Sequence, residues 1–279
     1  MVRETPPSGK IAFYIAHIHP TAYSAFASRE LAALSNGFHS YTVPLSQLKG
    51  FETTFTFQIS DHSKTCSYHV DPSIALSYHK SCAVHGGDGF AFVIHFDDEV
   101  DTSAIGGAGY ELGYGGISNS LAVEFDMWTT AISEDNSDDV FHDHISVHSA
   151  GKAPNKADKS TSLGYWRVVS LADGKIHRIR VRYIPHLETR YLEDMTANKN
   201  LLPYLKDHGE GRRLGTLVVF IDVGLDSDTP LVAMPLNLSV LLDLPQGVAY
   251  AGFTASTGLK WQKHDVLSWR WCDTGFCET

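Results

Sequence analysis

Apolar and polar residues alternate with a period of two along most of the chain. Phe55, Phe57 and Ile59 share one face of 54–60, against Thr54, Thr56 and Gln58 on the other. Phe90, Phe92, Ile94 and Phe96 repeat the pattern over 90–96. Leu121, Val123 and Phe125 alternate with Ala122, Glu124 and Asp126, and Ile179, Val181 and Tyr183 with Arg178, Arg180 and Arg182. Leu217, Val219 and Ile221 continue the series, and near the C-terminus Val266, Ser268 and Arg270 oppose Leu267, Trp269 and Trp271. These runs are short, rich in β-branched and aromatic residues, and bounded by Gly, Asp, Asn or Pro, which predicts strands joined by turns. So many strands with so little helical period predict an all-β sandwich or barrel.

One stretch breaks the rhythm. Residues 185–215 scatter Leu187, Tyr191, Met195, Leu201, Leu202 and Leu205 among charges, which predicts an inserted, partly helical excursion. A solvated loop carrying one amphipathic helix is the simpler reading, ahead of a partner-binding element. Residues 1–25, with Pro6 and Pro7, read as an N-terminal arm laid over the sheets or left loose, and 26–279 as a single domain. No internal repeat and no domain-separating linker is visible.

Composition narrows the function classes. With 22 basic against 32 acidic residues the formal charge is −10 over 279 residues, which disfavours nucleic acid, since phosphate binding needs a basic face. The apolar runs, such as 217–223, fall far short of the roughly 20 residues of a membrane span. A content of 43% hydrophobic and 19% charged residues is that of a chain able to bury a large core. The four cysteines form two local pairs, Cys66 with Cys82 and Cys272 with Cys277, at neither zinc nor Cys-x-x-Cys spacing. Two disulfides fit that spacing and imply an oxidising, extracellular or secretory compartment. No signal peptide is recognisable, because His17 and His19 interrupt the short apolar run at 11–16, so the sequence reads as starting at a mature or cloned boundary. Asn237-Leu238-Ser239 is one glycosylation triplet.

The richest chemistry runs from Leu121 to Ser149. Glu124 and Asp126 project from the same face of a strand whose Leu121, Val123 and Phe125 enter the core. Two carboxylates held that close repel unless a cation or proton lies between them. A polar loop with Asn136, Asp138, Asp139, His142, Asp143 and His144 follows. Oxygen donors suit calcium, and an added imidazole moves the preference toward manganese or another transition ion. The alternative for this cluster is a solvated acidic loop. In Gly86-Gly87-Asp88-Gly89-Phe90, glycines flank an aspartate just before a buried strand, so Asp88 is presented at a sheet edge as an acceptor for ligand hydroxyls, or marks an ordinary turn. A last strand–loop–strand unit spans Ala251 to Trp269. The chain has 15 histidines; His142 and His144 are the nearest pair for zinc, but there is no His-Glu-x-x-His, and most of the others read as surface residues.

Taken in order, these segments resemble the legume lectins and the wider L-type lectin family. The matching pieces are Gly-Asp-Gly-Phe-Ala-Phe around Asp88, Val123-Glu124-Phe125-Asp126, the trio Asn136, Asp139 and His144, Gly252-Phe253-Thr254-Ala255-Ser256-Thr257-Gly258, and His264-Asp265-Val266-Leu267-Ser268-Trp269. The resemblance covers about Gly50 to Trp271 outside the insertion and implies a concanavalin A-like jelly roll, in a divergent, non-plant branch or as a module of a larger surface protein. It further implies a manganese-type ion on Glu124, Asp126, Asp139 and His144, and calcium on Asp126, the Trp128 carbonyl, Asn136 and Asp139. Asp88 and the Asn136 amide would then grip two sugar hydroxyls, with a cis peptide before Asp88. An amide of the 107–109 stretch (Gly109 is the candidate) and amides near Leu259 and Lys260 would complete the cradle, under a ring supplied by Trp128 or, second, Trp261. His148 and Ser149 are a secondary suggestion as outer contacts to the ions.

The expected function is therefore non-catalytic, metal-dependent binding of a monosaccharide or glycan end, in a chain that forms a homo-oligomer or is part of a larger surface protein. One alternative is an adhesion or structural module with this fold and no sugar site. The other is a glycoside hydrolase, which needs a second catalytic carboxylate; here Glu124-Phe125-Asp126 is followed by Met127, Trp128 and Thr129, without the second glutamate of the laminarinase-like pattern.

Overall fold

The computed structural model describes residues 11–13, 16–18, 24–27, 41–44, 50–71, 77–96, 106–127, 143–168, 170–197, 214–244, 248–256 and 261–272. Two antiparallel sheets and a hairpin hold nearly all of the strands. The back sheet runs β1 (Ile11–Phe13), β16 (Lys263–Cys272), β5 (Phe51–Ser60), β12 (Ile176–Ile184), β13 (Gly215–Ile221), β14 (Val232–Leu236), with β2 (Ala16–Ile18) also paired to β16. The front sheet runs β11 (Ser162–Arg167), β10 (His144–His148), β9 (Ser120–Asp126), β8 (Gly89–His95), β15 (Val248–Ser256), β3 (Ser24–Ala27), with β4 (Tyr41–Pro44) also on β15. β6 (Ser63–Asp71) and β7 (Ser77–His85) form the hairpin. Segments of the 1–25 stretch thus pair with the back sheet and, just after it, with the front.

Aromatic residues from both inner faces fill the space between the sheets. Phe55 meets Phe253 edge-on at 4.8 Å, and Phe90 stacks on Phe125 at 4.6 Å with the rings 3° apart. Such rings bury large apolar areas and lock the sheets' relative position. The alternation read in the sequence holds in β5, β9 and β13 but fails in β16. There Val266, Trp269 and Trp271 all enter the core, because the register slips between Val266 and Ser268 and one extra residue inverts the facing from that point on.

The outer face of the back sheet is not bare. Within the 185–215 excursion a turn at Thr189–Tyr191 runs into α1 (Leu192–Ala197), and Tyr191 and Met195 close over Val218, Phe220 and Ala233 in a second, small core. Arg180 lies 4.1 Å above the Phe220 ring, and Arg180 and Arg190 both reach Asp228. No helix among the described residues is long and apolar enough to cross a membrane. Cys66 and Cys82 are register partners on β6 and β7, and Cys272 is disulfide-bonded; Cys277 lies outside the described residues.

Candidate functional site

The site lies on the front-sheet face that points away from the main core. Directly opposed residues of an antiparallel pair share a face, and the register sets His144 opposite Asp126 and Ser146 opposite Glu124. On the other side of β9, Gly89 and Ala91 stand opposite Asp126 and Glu124, so no bulky neighbour fills the space. Residues 106–117 arch over this face, and their Leu112, Tyr114 and Ile117 pack on Ala91, Val93 and Ala122. That cover is why Glu124, on the face remote from the core, is only 2% exposed.

Glu124, Asp126 and His144 each offer a ligand atom, all within 4.8 Å of one another. Two carboxylates and an imidazole at that separation fit a divalent ion of the borderline class. Glu124 is held from several sides: Tyr114 Oη donates to Oε2 at 2.5 Å, Ser146 Oγ donates to Oε1 at 2.9 Å, and the His144 and His148 Nε2 atoms lie 3.6 and 3.8 Å away. Burial alone would favour the neutral acid, but the charge of His148 and hydrogen bonds from His144 and Tyr114 prevail and lower its pKa. Burial, with Glu124 adding to it, drives the Tyr114 phenol well above its ordinary value, so it remains a donor.

Asp88 occupies a second position at the same end of the sheet. The Gly87–Asp88 peptide is cis, as the resemblance implies. The Asp88 N–H donates to the Ser256 carbonyl at 3.0 Å, and the Asp88 carbonyl accepts from Met127 N–H at 3.0 Å, which ties it to the exits of β15 and β9. Its side chain is 6% exposed, its Oδ2 is buried without a hydrogen-bond partner, and burial raises its pKa to about 6. Gly109, at φ +66°, is so close that a Cβ there would stand 4.0 Å from that Oδ2. The Gly109 N–H donates to Ser256 Oγ at 2.5 Å, so Ser256 grips both the Asp88 and the Gly109 segments. Behind Gly86, buried Gln262 joins His62 at 3.2 Å and His264 at 3.0 Å; a Cβ on Gly86 would fall 1.7 Å from Gln262 Oε1 and would displace that amide from the network. Trp261, beside this network, is 38% exposed.

The structure brings together Glu124, Asp126 and His144, and separately Asp88 and Gly109. Trp128, Asn136, Asp139, Leu259 and Lys260 lie outside the described residues. Ser149 does not turn to the site; it donates to the Ser120 carbonyl at 2.8 Å. The expectation that most histidines are surface residues is overturned for His95, His148, His177 and His264, all buried. Each sits on a strand with a hydrogen-bonding or aromatic neighbour, which lowers the cost of burying an imidazole inside the fold. Sequence reading missed Tyr114, Ser146 and Ser256. Ser146 was discoverable, being two residues from His144 on a strand and hence on its face; Ser256 lies in a segment already singled out, but its grip on Asp88 and Gly109 is a contact between distant segments, and Tyr114 carries no local signal.

A jelly-roll sandwich with an acidic and imidazole cluster beside a cis-linked aspartate defines the L-type lectin class. The chain belongs to the legume lectin domain family, whose profile matches residues 30–277. Among solved structures, it is similar to the VIP36 exoplasmic/lumenal domain in its Ca2+/Man-bound form, at 16% identity over 97% of this chain and 85% of that one, with a TM-score of 0.49. It is also similar to lectin UEA-II complexed with galactose, at 14% identity over 95% and 99% with a TM-score of 0.49. Peanut lectin with a 9mer peptide follows at 18% identity over 95% and 97%, with a TM-score of 0.47. Family membership supports carbohydrate binding as the general activity, and points to a binding protein rather than an enzyme.

Proposed function

We propose that this chain is a metal-dependent lectin that takes a monosaccharide or glycan end at Asp88. The observation that carries the reading is the Asp88 carboxylate: buried, with an unpartnered Oδ2, and faced by a glycine turn. An acceptor kept dry and unpaired costs free energy unless a ligand donor meets it. A sugar hydroxyl is such a donor, and the Asn136 amide would bind its neighbour, with residues 259–260 lending amides and Trp128 or Trp261 covering the apolar face of the ring; Gly109, whose N–H is spent on Ser256 Oγ, walls the carboxylate instead of donating to the sugar. Bound cations would stiffen the acidic loop that carries Asn136. Glu124, Asp126, Asp139 and His144 would hold the transition ion, and Asp126, Trp128, Asn136 and Asp139 the calcium.

The same geometry disfavours hydrolysis. Glu124 is roofed by Tyr114 and pinned at both oxygens, whereas a general acid must reach a leaving group. The disulfide at Cys272 supports an extracellular or secretory setting. The test is a glycan array probed with the full chain, with and without chelator. Binding should vanish on chelation, return with calcium plus manganese, and be absent in Asp88→Ala; sugar affinity that survives complete demetallation sinks the proposal.

A further inference from the structure

We infer that two hydroxyls, those of Tyr114 and Ser146, are positioning residues that set Glu124 as a one-oxygen ligand for the transition ion. The inference rests on the metal-binding reading above and concerns how this chain prepares that site. A free carboxylate can rotate and can bind an ion through one oxygen or two. Here rotation is blocked, because each oxygen has its own donor: Tyr114 Oη on Oε2 at 2.5 Å and Ser146 Oγ on Oε1 at 2.9 Å. Oε1 is the oxygen on the His144 side, 3.6 Å from its Nε2, and His144 is one of the two residues that cluster with Glu124. Oε2 faces away, toward Tyr114 and His148.

Both donors are themselves held. The Tyr114 ring is fully buried against Leu112, Ile117 and Ala122, its N–H donates to the Glu111 carbonyl at 3.0 Å, and its carbonyl accepts from Ile117 N–H at 3.0 Å. Ser146 spends its single proton on Glu124, so its contact with His148 Nε2 at 2.9 Å is one in which the imidazole donates. The result is a relay from His148 through Ser146 to one oxygen, with Tyr114 capping the other. Outer partners of this kind orient metal ligands, and losing one typically costs about 10- to 100-fold in metal affinity.

The test is Tyr114→Phe in the full chain, which removes one hydroxyl and keeps the ring. Isothermal titration and bound-metal analysis should show Mn2+ held about 10- to 100-fold more weakly, with Ca2+ affinity nearly unchanged and the metal-free melting temperature lowered only by the loss of one buried hydrogen bond. A merely structural role would lower the melting temperature and both metal affinities together. A folded Tyr114→Phe protein that keeps wild-type Mn2+ affinity overturns the inference. Should that variant not fold, Ser146→Ala strips the donor from the other oxygen, and unchanged Mn2+ affinity there overturns it equally. Wild-type protein that takes up no transition ion at all defeats the metal-binding reading itself, a distinct result.

Discussion

Glu124 in the front sheet and Glu52 in the back sheet are buried to nearly the same degree, 2% and 3% exposed, yet they are held in opposite ways. Glu52 stands opposite Arg182 in the register of β5 and β12, and the guanidinium grips it through Nε at 2.6 Å and through a second nitrogen. That charge is closed within the chain, and nothing more is asked of it than to hold two strands in step. Glu124 meets hydroxyls and imidazoles instead, with Asp126 adding negative charge beside it. Hydroxyls orient a carboxylate without cancelling its charge, and it is this remaining charge that the proposed cation would balance. A buried acid paired with arginine is architecture, and one held by hydroxyls and imidazoles beside a second acid is a candidate site.

The contrast can be broken at either end. The largest effect is expected from Arg182→Met, which strands the Glu52 carboxylate and should cost about 3–5 kcal/mol in denaturant-measured stability. Glycan binding by the fraction that remains folded should be unaltered, and a loss of affinity there would erase the distinction. Next comes Glu124→Gln, which keeps the shape but removes the charge. It should weaken Mn2+ binding by about 100-fold, since charge-assisted bonds are the strong ones, while the metal-free protein unfolds at nearly the wild-type denaturant concentration.

A pH effect of intermediate size follows from Asp88, whose pKa burial raises to about 6. Below that value the carboxylate takes a proton and loses acceptor capacity, so sugar affinity should fall by up to about tenfold per pH unit between pH 6 and 5. The stability sign is the reverse. The folded pKa exceeds the unfolded value of about 3.9, so the buried charge destabilises the fold above pH 6, and that cost is relieved as pH drops from 6 to 4. Melting curves of ligand-free wild type minus Asp88→Asn isolate this contribution, and a difference that does not shrink toward pH 4 contradicts it. The smallest effect is expected from Ser256→Ala, which frees the Gly109 N–H at a cost near 1 kcal/mol. Sugar titration should show a loss of about threefold to tenfold, along with an upfield move of the Gly109 amide proton resonance.

Much of this was visible in the chain before any coordinates. The strands are legible because their facing repeats every second residue, and the cluster of Glu124, Asp126 and His144 because its members lie on two such strands. What stayed hidden is set by contacts between distant segments. The slip at Val266 and Ser268 adds one residue without changing composition, so a strict alternation misassigns the inward side of β16. Tyr114 belongs to a glycine-rich arch whose course is fixed by Gly106, Gly107 and Gly115 passing against backbone and Glu111, not by any local pattern. Likewise Met195 and Tyr191 looked like members of a solvated helix, and only the apolar outer face of β13 and β14 reveals what they cover.

The arch at 106–117 serves two masters: at Tyr114 it roofs the Glu124 carboxylate, and at Gly109 it walls Asp88. Anyone wishing to retarget this protein by transplanting that segment from another lectin would strip the roof from Glu124 in the same operation. Tyr110, 57% exposed on the same turn, is the place to diversify instead, since its side chain can be varied without disturbing either anchor.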